Sequence, residues 1–531
     1  MVLKYQVDTA RLMAVGIHLI GVLVAMGCSN DDKGNDATTD SDTGTDTEID
    51  AGAFGDLREA AVASGKFLGT AVDATLLATN ETYAKILTEE FDYITPEDAT
   101  KWAPLEPRDD EYDFDDADAI VDFAEGKGQV IKGHTLVWQE QTPSWVNNSM
   151  SAEALETALK SHIETTIERY KGRIRAWDVV NEAVDASSAS GYMENIFYDK
   201  LGPSYIADAF RWAREADSEA LLFYNEVGIE RLCAKSDLTY ALMQALLAED
   251  VPIDGIGFQS HVSIHRYPPL SNLRENIRRF ADLGLIVNIS EMDARTNFMP
   301  GSEALRLETQ RIAFQQVVGA CIVEPGCEGV TIWGIGDAYS WLNDEGQPDD
   351  PLIFDRSLAP KPAYYGVLDG LRGKLPKEGE NQLQNGDFGN GADNWTATGG
   401  ALSVNDAEGR ESAAACITER GDAGDGLLQE NLLSKLENGG PYSFTAWLRL
   451  SGNDAPETVD AELMVTEEGA DAEARNIASR PIDAGKWMEL SGYFGLGYDN
   501  TPEAISLKIS GPAAGVELCV TDISITPLTP E

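Results

Sequence analysis

The sequence predicts an α/β chain in which a (β/α)8 barrel is followed by an all-β jelly-roll sandwich domain. Between residues 55 and 372, eight short apolar, β-prone runs alternate with longer stretches of helical periodicity. Eight strand-then-helix repeats are typical of a (β/α)8 barrel. Residues 381–531 instead contain many short alternating runs with closely spaced turn residues. That pattern is typical of a β-sandwich.

The composition agrees with a large folded protein. The chain has 531 residues, of which 43% are hydrophobic and 24% are charged, and this composition argues against wholesale disorder. Its 90 acidic residues outnumber its 40 basic residues, which gives a formal net charge of −50. Because such a surface repels phosphate backbones and anionic lipid, we expect no nucleic-acid partner and favour a neutral ligand.

Residues 1–28 have the features of an export signal. Lys4 and Arg11 precede an apolar run over 12–27, which is too short for a comfortable membrane span. The run ends at Cys28 in a sequence that resembles a bacterial lipobox, although Ala25 stands where such boxes usually carry Leu. We therefore expect a cell-envelope lipoprotein lipidated on Cys28, with ordinary secretion and an uncleaved membrane anchor as the alternatives. Residues 29–54 are rich in acidic residues and predict a solvated tether.

The elements of the predicted barrel follow one another at regular intervals. The eight predicted strands are 67–72, 91–95, 130–137, 174–180, 220–224, 256–259, 285–289 and 330–333. The intervening segments are helical, and 151–170 illustrates them, because Leu155, Leu159, Ile163 and Ile167 share one face of a helix that opens at a Ser.

Two glutamates follow predicted barrel strands. Glu182 follows the fourth strand and Glu291 follows the seventh. The C-terminal ends of barrel strands face the active site, so both carboxylates are expected in one cleft. The structural alternative is that each is a rim acid paired with a basic residue.

A pair of carboxyl groups in a barrel mouth suits hydrolysis of a glycosidic bond. The leaving oxygen must be protonated, and the positive charge that develops on the sugar must be met by an anion or a covalent bond. One carboxyl group must therefore be neutral while the other is ionised. We expect the negative charge of Glu291 to favour the protonated form of Glu182.

Six linked motifs follow one another over roughly residues 60–370. They are YITPEDATKW at 93–102, GHTLVW at 133–138, WDVVNEA at 177–183, QSH at 259–261, SEMD at 290–293 and WG at 333–334. In their order and spacing, they resemble glycoside hydrolase family 10, the retaining endo-β-1,4-xylanases.

The resemblance implies a role for each matching residue. Glu182 would be the general acid/base and Glu291 the nucleophile of a double displacement. His261 would orient Glu291, with Asp293 behind it. The residues that would bind the substrate are Glu97, Lys101, His134, Trp138 and Gln141 on the non-reducing side, Asn181 at the sugar 2-hydroxyl, Gln259 close to the acid/base, His261 beside the nucleophile, and Trp333 and Trp341 over the sugar at the cleavage point.

Three positions depart from the family pattern. Asp98 stands where Asn is usual, Gln139 replaces a common His, and Gly228 replaces a common Asn. These departures put the affinity of the sugar subsites in doubt rather than the reaction class.

Other functions find less support in the sequence. It contains no Gly-x-Ser-x-Gly, P-loop or His-Glu-x-x-His motif and no zinc-type Cys/His spacing, so we expect no metal and no cofactor for catalysis. The partner would be xylan or a related β-1,4-linked plant polysaccharide, bound by a monomer. One alternative is a barrel glycosidase acting on β-glucan or cellulose, and another is a non-catalytic polysaccharide-binding surface protein.

Residues 373–380 read as a linker, and the segment 381–531 resembles jelly-roll carbohydrate-binding modules of families 4, 9 and 22. The period-2 pattern of 442–450 places Trp447 on the polar face of a strand, where it is a candidate sugar platform. Modules of this shape often hold a structural calcium ion, and the sequence leaves that open.

In an exported protein, Cys321 can pair with Cys327 and Cys416 with Cys519.

Overall fold

The computed structural model describes residues 56–343, 349–436, 440–452, 455–468, 472–498, 500 and 502–531. The predicted signal, the acidic tether and the lipidation site at Cys28 lie outside the described residues. Across the described part of the chain, every helix is too short or too polar to cross a bilayer.

Eight parallel strands close into a barrel, which confirms the predicted fold class. The strands of this part are β1 (Phe67–Val72), β2 (Tyr93–Pro96), β3 (Val130–Gly133), β4 (Ala176–Asn181), β5 (Leu221–Glu226), β6 (Gly255–Phe258), the short β7 (His261–Ser263), β8 (Ile286–Arg295) and β9 (Cys327–Ile332). Neighbours pair in chain order from β1 to β6, β6 pairs with β8, and β9 closes the ring between β8 and β1. Strand β7 lies outside this ring and pairs in parallel with the end of β8.

Each predicted barrel strand overlaps an observed strand, and the boundaries differ most at the C-terminal ends of β3 and β8. Strand β3 ends at Gly133 instead of continuing to 137, because the regular pairing with β4 is interrupted at His134 and Thr135. The amides of Leu136 and Val137 donate again to the carbonyl oxygens of Asp178 and Val179 on β4. Strand β8 continues to Arg295, where β7 supplies its additional partner.

Helices surround the barrel strands. They are α1 (Asp56–Ser64), α2 (Ala74–Thr79), α3 (Glu81–Glu90), α4 (Trp102–Leu105), α5 (Asp115–Lys127), α6 (Ala152–Tyr170), α7 (Ile196–Leu201), α8 (Ser204–Ala216), α9 (Ala234–Ala248), α10 (Leu270–Ala281), α11 (Glu303–Val323) and α12 (Pro362–Leu371). Two 3₁₀ turns, Asp337–Tyr339 and Trp341–Asn343, follow β9. The predicted helix over 151–170 is α6, and the Ser151 hydroxyl caps it by accepting from the amide of Ala154.

The C-terminal region is a sandwich of two antiparallel sheets. Its strands are β10 (Lys377–Glu378), β11 (Thr396–Ala397), β12 (Ala401–Asp406), β13 (Ala413–Thr418), β14 (Leu427–Gln429), β15 (Gly440–Ser451), β16 (Glu457–Thr466), β17 (Glu473–Ile482), β18 (Met488–Leu496), β19 (Ala504–Ser510) and β20 (Glu517–Thr529). One sheet has the order β12-β13-β20-β15-β18, with β10 attached to β20, and the other has the order β11-β14-β19-β16-β17.

The predicted linker contains a piece of regular structure. Within 373–380, Lys377 and Glu378 pair with Thr529 and Leu528, so that the segment joins the sandwich instead of hanging free. The backbone of Lys377 and Glu378 pairs with the last strand, β20. The composition of the segment carries no signal for this pairing.

Within the described part of the chain, two disulfides with both cysteines placed tie neighbouring segments. Cys321 at the end of α11 is bonded to Cys327 at the start of β9, and Cys416 on β13 is bonded to Cys519 on β20. Both are pairings that the spacing of the cysteines allowed.

Candidate active site

Glu182 lies directly after β4, at the C-terminal end of the barrel. Its backbone has a positive φ of 55°, and its amide donates to the carbonyl oxygen of Asn225. Gln259 donates to its Oε1 at 2.8 Å, and Trp138 donates to its Oε2 at 2.9 Å. The amide of Gln139 reaches the same Oε2 at 3.3 Å. Three donors therefore fix the half-buried carboxyl group in one orientation.

Glu291 lies inside β8 and is buried. Asn225 donates to its Oε1 at 2.6 Å, and His261 Nε2 lies 3.3 Å from its Oε2. Burial raises the pKa of this carboxyl group, but electrostatic interaction with His134 and His261 and the hydrogen bonds from His261 and Asn225 outweigh burial and lower the pKa to about 2. Glu291 is therefore ionised at neutral pH.

The two carboxyl groups belong to one hydrogen-bonded network. Gln259, which binds Glu182, also approaches Asn181 Oδ1 at 3.3 Å. The same Asn181 oxygen accepts from Asn225 at 2.8 Å, and Asn225 in turn binds Glu291. The ends of β4, β5, β6 and β8 thus converge on one place, as the barrel rule predicts.

His261 connects the Glu291 carboxylate with a second buried acid. Its Nδ1 lies 2.8 Å from Asp293 Oδ2, and the same oxygen accepts from Trp341 Nε1 at 2.9 Å. Burial lowers the pKa of His261, but the charge and hydrogen bond of Asp293, together with Glu291, raise it to about 10. A protonated imidazolium therefore stands beside the Glu291 carboxylate.

A second buried ion pair supports the opposite side of the site. Asp178 on β4 lies 2.6 Å from Lys132 Nζ and 3.0 Å from His134 Nδ1. The ring of Trp333 stands edge-on to His134 at 5.1 Å and to His261 at 6.4 Å between ring centroids.

The other residues predicted to bind sugar lie around this centre. Lys101 Nζ lies 2.8 Å from Asp98 and 5.0 Å from the centroid of the Trp138 ring. Burial raises the pKa of Asp98, but Lys101 and a hydrogen bond from Gln141 prevail and lower it. Glu97 follows β2.

Sequence reasoning gave no role to three residues that the structure places in the network. Asn225 binds both Asn181 and Glu291, Ser290 donates to Asn225 Oδ1 at 2.6 Å, and Asp178 carries the ion pair with Lys132 and His134. The rule that singled out the two glutamates could have found Asn225 and Ser290 as well, since each directly follows a predicted strand. Asp178 lies inside β4, and its place in the WDVVNEA motif does not reveal the pairing with Lys132 and His134.

Trp447 lies on the outer face of β15, away from the buried face formed by Phe444, Ala446 and Leu448. The guanidinium of Arg410 stacks over its ring at 4.0 Å and is held by Asp522 at 2.6 Å. The outer position agrees with the period-2 pattern, whereas the contact with Arg410 had no sequence signal.

Two carboxyl groups meet in this network: Glu182 is held by three uncharged donors, and Glu291 is ionised beside an imidazolium. Cleavage of an acetal requires two such groups, one to give a proton and one to meet the sugar cation. Residues 56–370 match the family described as Glycosyl hydrolase family 10. The chain belongs to this family. Residues 380–515 match a second family, described as Carbohydrate binding domain. Both matches confirm the resemblances found in the sequence.

Curated relatives of the family 10 region carry xylanase names. Endo-1,4-beta-xylanase B of Thermotoga neapolitana is 38% identical over 298 residues, which cover 56% of this chain and 85% of the relative. Endo-1,4-beta-xylanase 1 of Humicola insolens is 36% identical over 326 residues, which cover 60% of this chain and 75% of the relative.

Solved structures agree with these matches. The native xylanase 10B of Thermotoga maritima is 38% identical, with a TM-score of 0.56, and the match covers 59% of this chain and 97% of that chain. The xylanase 10B of Thermotoga petrophila in complex with xylobiose is 36% identical, with a TM-score of 0.57, and the match covers 62% and 98%.

Proposed function

We propose that the chain hydrolyses internal β-1,4-xylosidic bonds of xylan with retention of anomeric configuration. The observation that carries the proposal is the network that joins Glu182 to Glu291 at the ends of two barrel strands. The family 10 match and the xylanase names of relatives at 36–38% identity support the choice of substrate.

The proposed reaction has two steps. Glu291 attacks the anomeric carbon while Glu182 gives its proton to the leaving glycosidic oxygen, so that a covalent glycosyl-enzyme forms and the leaving sugar departs as an alcohol. Glu182, now ionised, then takes a proton from water as the water oxygen attacks the anomeric carbon and releases Glu291. The low pKa of Glu291 supports its role as the nucleophile, since it is charged before substrate arrives.

The remaining polar and aromatic residues form the proposed sugar subsites. Asn181 is placed to bind the 2-hydroxyl, and the indoles of Trp333 and Trp341 are placed to pack on the sugar at the cleavage point. The proposed non-reducing side consists of Glu97, Lys101, His134, Trp138 and Gln141. Asp98 there is an acceptor held by Lys101, so we expect it to select a sugar hydroxyl as donor.

Product analysis on xylan tests the proposal. Wild type should release oligosaccharides of retained anomeric configuration, as followed by proton NMR early in the reaction. Glu182→Ala and Glu291→Ala should each lower kcat by at least about 10²-fold, while the exposed Glu81→Ala should match wild type. Azide, as a small external nucleophile, should restore turnover of Glu291→Ala with inverted configuration.

Three results would contradict the proposal. Inverted products from wild type would exclude the double displacement. Unchanged sugar release by Glu291→Ala would exclude that residue as the nucleophile. A much higher kcat/KM on β-glucan or cellulose than on xylan would replace the proposed substrate.

We propose further that the sandwich domain binds the same class of polysaccharide and that the protein is an exported monomer. The family match of residues 380–515 supports the binding role.

If Trp447 is the platform on which the sugar stacks, Trp447→Ala should weaken retention of the protein on insoluble xylan. If Trp447 only supports Arg410, the variant should lose stability with unchanged retention.

In the described part of the sandwich, no cluster of carboxylate side chains suited to a calcium ion is present. There, the one group of three or more clustered His, Cys, Asp or Glu residues is Cys416, Glu517 and Cys519. Its two sulfurs are joined in a disulfide, whereas calcium prefers six to eight oxygen ligands.

The lipobox-like sequence before Cys28 supports our proposal of an envelope lipoprotein. Wild type expressed in bacteria should incorporate labelled palmitate, and Cys28→Ser should not. Equal labelling of both would place the lipid elsewhere, and no labelling of wild type would favour ordinary secretion.

A further inference from the structure

The sandwich domain contacts the barrel next to the catalytic residues. The segment after β7 runs beside β18, which is the last strand in the order of its sheet. Tyr267 and Tyr493 form an antiparallel bridge, in which the amide of Tyr267 donates to the carbonyl oxygen of Tyr493 at 3.1 Å. The amide of Gly495 donates to the carbonyl oxygen of Ile264 at 3.0 Å. The barrel segment thus extends an edge of the sandwich, as in β-strand addition.

Side chains close around this backbone contact. The rings of Tyr267 and Tyr493 meet edge to face at 5.6 Å between centroids, and Ser271 donates to Glu489 at 2.7 Å. Ile264, Tyr267 and Met299 are buried to 2% exposure or less. These three residues are therefore shielded from solvent where the barrel and the sandwich meet.

The same segment is continuous with the support of the nucleophile. His261 begins β7, and this strand pairs with β8 through His261 and Asp293, Val262 and Ala294, and Ser263 and Arg295. The amide of Ile264 donates to the carbonyl oxygen of Arg295 at 2.9 Å, so that Ile264 links β8 to the sandwich. Ile264 lies three positions after His261, whose imidazole faces Glu291.

Met299 extends the contact to the loop after β8, the strand that carries Glu291 and Asp293. A Cβ atom on Gly495 would overlap the Met299 sulfur and would lie 2.9 Å from the carbonyl oxygen of Ile264. A Cβ atom on Gly497 would overlap the carbonyl oxygen of Pro300. Both glycines permit an approach that a larger residue would prevent.

We infer that the docked sandwich domain is a positioning element of the active site, which holds His261 against Glu291 through the Ile264–Tyr267 segment. Tyr493 and Gly495 are then positioning residues that never touch substrate. Displacing a reacting group by about 1 Å can lower the rate about 10²-fold, so release of this segment should reduce kcat even on substrates that the sandwich domain does not bind. The inference rests on the proposed function, because kcat is read on a xylo-oligosaccharide.

Full-length Gly495→Leu tests the inference. Its matched control is Gly389→Leu, since Gly389 is an exposed sandwich-domain glycine whose added Cβ atom would meet nothing closer than 3.4 Å. On a soluble aryl xylobioside, Gly495→Leu should lower kcat about 10- to 100-fold with little change in KM, and small-angle scattering should show an enlarged radius of gyration. The control should match wild type in both measurements.

Rescue separates positioning from a general loss of stability. Met299→Ala removes the side chain that the Gly495→Leu substitution overlaps most severely, although the short approach to the carbonyl oxygen of Ile264 stays. Gly495→Leu with Met299→Ala should therefore regain part of the compact shape and a matching part of the kcat. If Gly495→Leu does not fold, Tyr493→Ala removes the ring contact with Tyr267 and should lower kcat in the same direction.

The outcomes are distinguishable. An undocked variant with wild-type kcat would overturn the inference, and so would a double variant that recovers the shape without recovering kcat. Wild type without activity on the xylobioside would instead contradict the proposed function.

Discussion

Glu291 keeps its charge in a buried position because three groups compensate the loss of hydration. His134 and His261 attract the charge electrostatically, and His261 and Asn225 form hydrogen bonds with the carboxylate. None of the three is close to Glu291 along the chain. The charge that Glu291 needs as a nucleophile therefore depends on its neighbours as well as on its own carboxyl group.

Asn225→Ala should weaken catalysis more than stability. A hydrogen bond to a charged group contributes about 1.5–3 kcal/mol, so losing the 2.6 Å bond to Glu291 should lower kcat/KM about 10- to 100-fold. Steady-state kinetics on a xylo-oligosaccharide measure this loss of kcat/KM. Asn272→Ala is the matched control, because this buried amide in α10 accepts from the amide of Leu232. A larger loss of activity in the control would contradict the assignment.

The His261 imidazolium should make stability depend on pH in the alkaline range. Its pKa rises from 6.5 to about 10 in the folded chain, so its contribution is complete below the unfolded pKa and is lost as pH rises toward about 10. The stability difference between wild type and His261→Gln should therefore shrink between about pH 6 and about pH 10. Urea unfolding at both pH values measures it, and a difference that grows with pH would refute the charged state.

The contribution of Glu291 to stability depends on pH in the opposite direction to that of His261. Its pKa falls from 4.5 to about 2 in the folded chain, so its contribution is complete above the unfolded pKa and is lost as pH falls toward about 2. Acid unfolding therefore protonates a carboxylate that the folded site holds ionised.

At the scale of elements, helix α6 begins where its sequence predicts, at the capping residue Ser151. Ser151 accepts from the amide of Ala154, as its position ahead of an amphipathic run predicts. The buried face of the helix includes Leu155, Leu159, Ile163 and Ile167.

Ser151→Ala should lower the free energy of unfolding by about 1 kcal/mol. Chemical denaturation of the full chain, followed by the transition of the barrel, measures the change. Ser149→Ala is the control, because this exposed serine binds Asn147 and caps no helix. The kcat of both variants should equal that of wild type, and equal destabilisation of the two would show that the cap contributes nothing.

The two disulfides should contribute unequally to stability. Cys416 and Cys519 are separated by 103 residues along the chain, and Cys321 and Cys327 by six. Because a longer closed loop removes more entropy from the unfolded chain, replacing the first pair by alanine should lower stability by about 4 kcal/mol and replacing the second by less. Scanning calorimetry of the full chain compares them. The reverse order would show that local packing, rather than loop closure, dominates.

For the whole molecule, the net charge of −50 is the dominant electrostatic feature. Repulsion among the acidic residues should weaken as salt is added, so the melting temperature should rise between about 10 mM and about 300 mM NaCl. A neutral xylo-oligosaccharide feels no such field, and its kcat/KM should stay within about 2-fold over the same range. A melting temperature that falls with salt would indicate that attractive ion pairs outweigh the repulsion.

The sequence by itself determined the barrel, the sandwich and the two glutamates. Each strand and helix carries its own periodicity, and the barrel rule sends every strand end to one face. This is why Glu182 and Glu291 could be chosen although they are distant along the chain.

Only the tertiary structure decided which groups hold those glutamates and how the two domains meet. Asn225, Ser290 and Asp178 act across strands, and Arg410 covers Trp447 from another part of the sandwich. The bridge between Tyr267 and Tyr493 joins segments that look like an ordinary loop and an ordinary strand in the sequence. Periodicity reports the side of an element that is buried, whereas the partner it is buried against depends on contacts between distant segments, which no local pattern encodes.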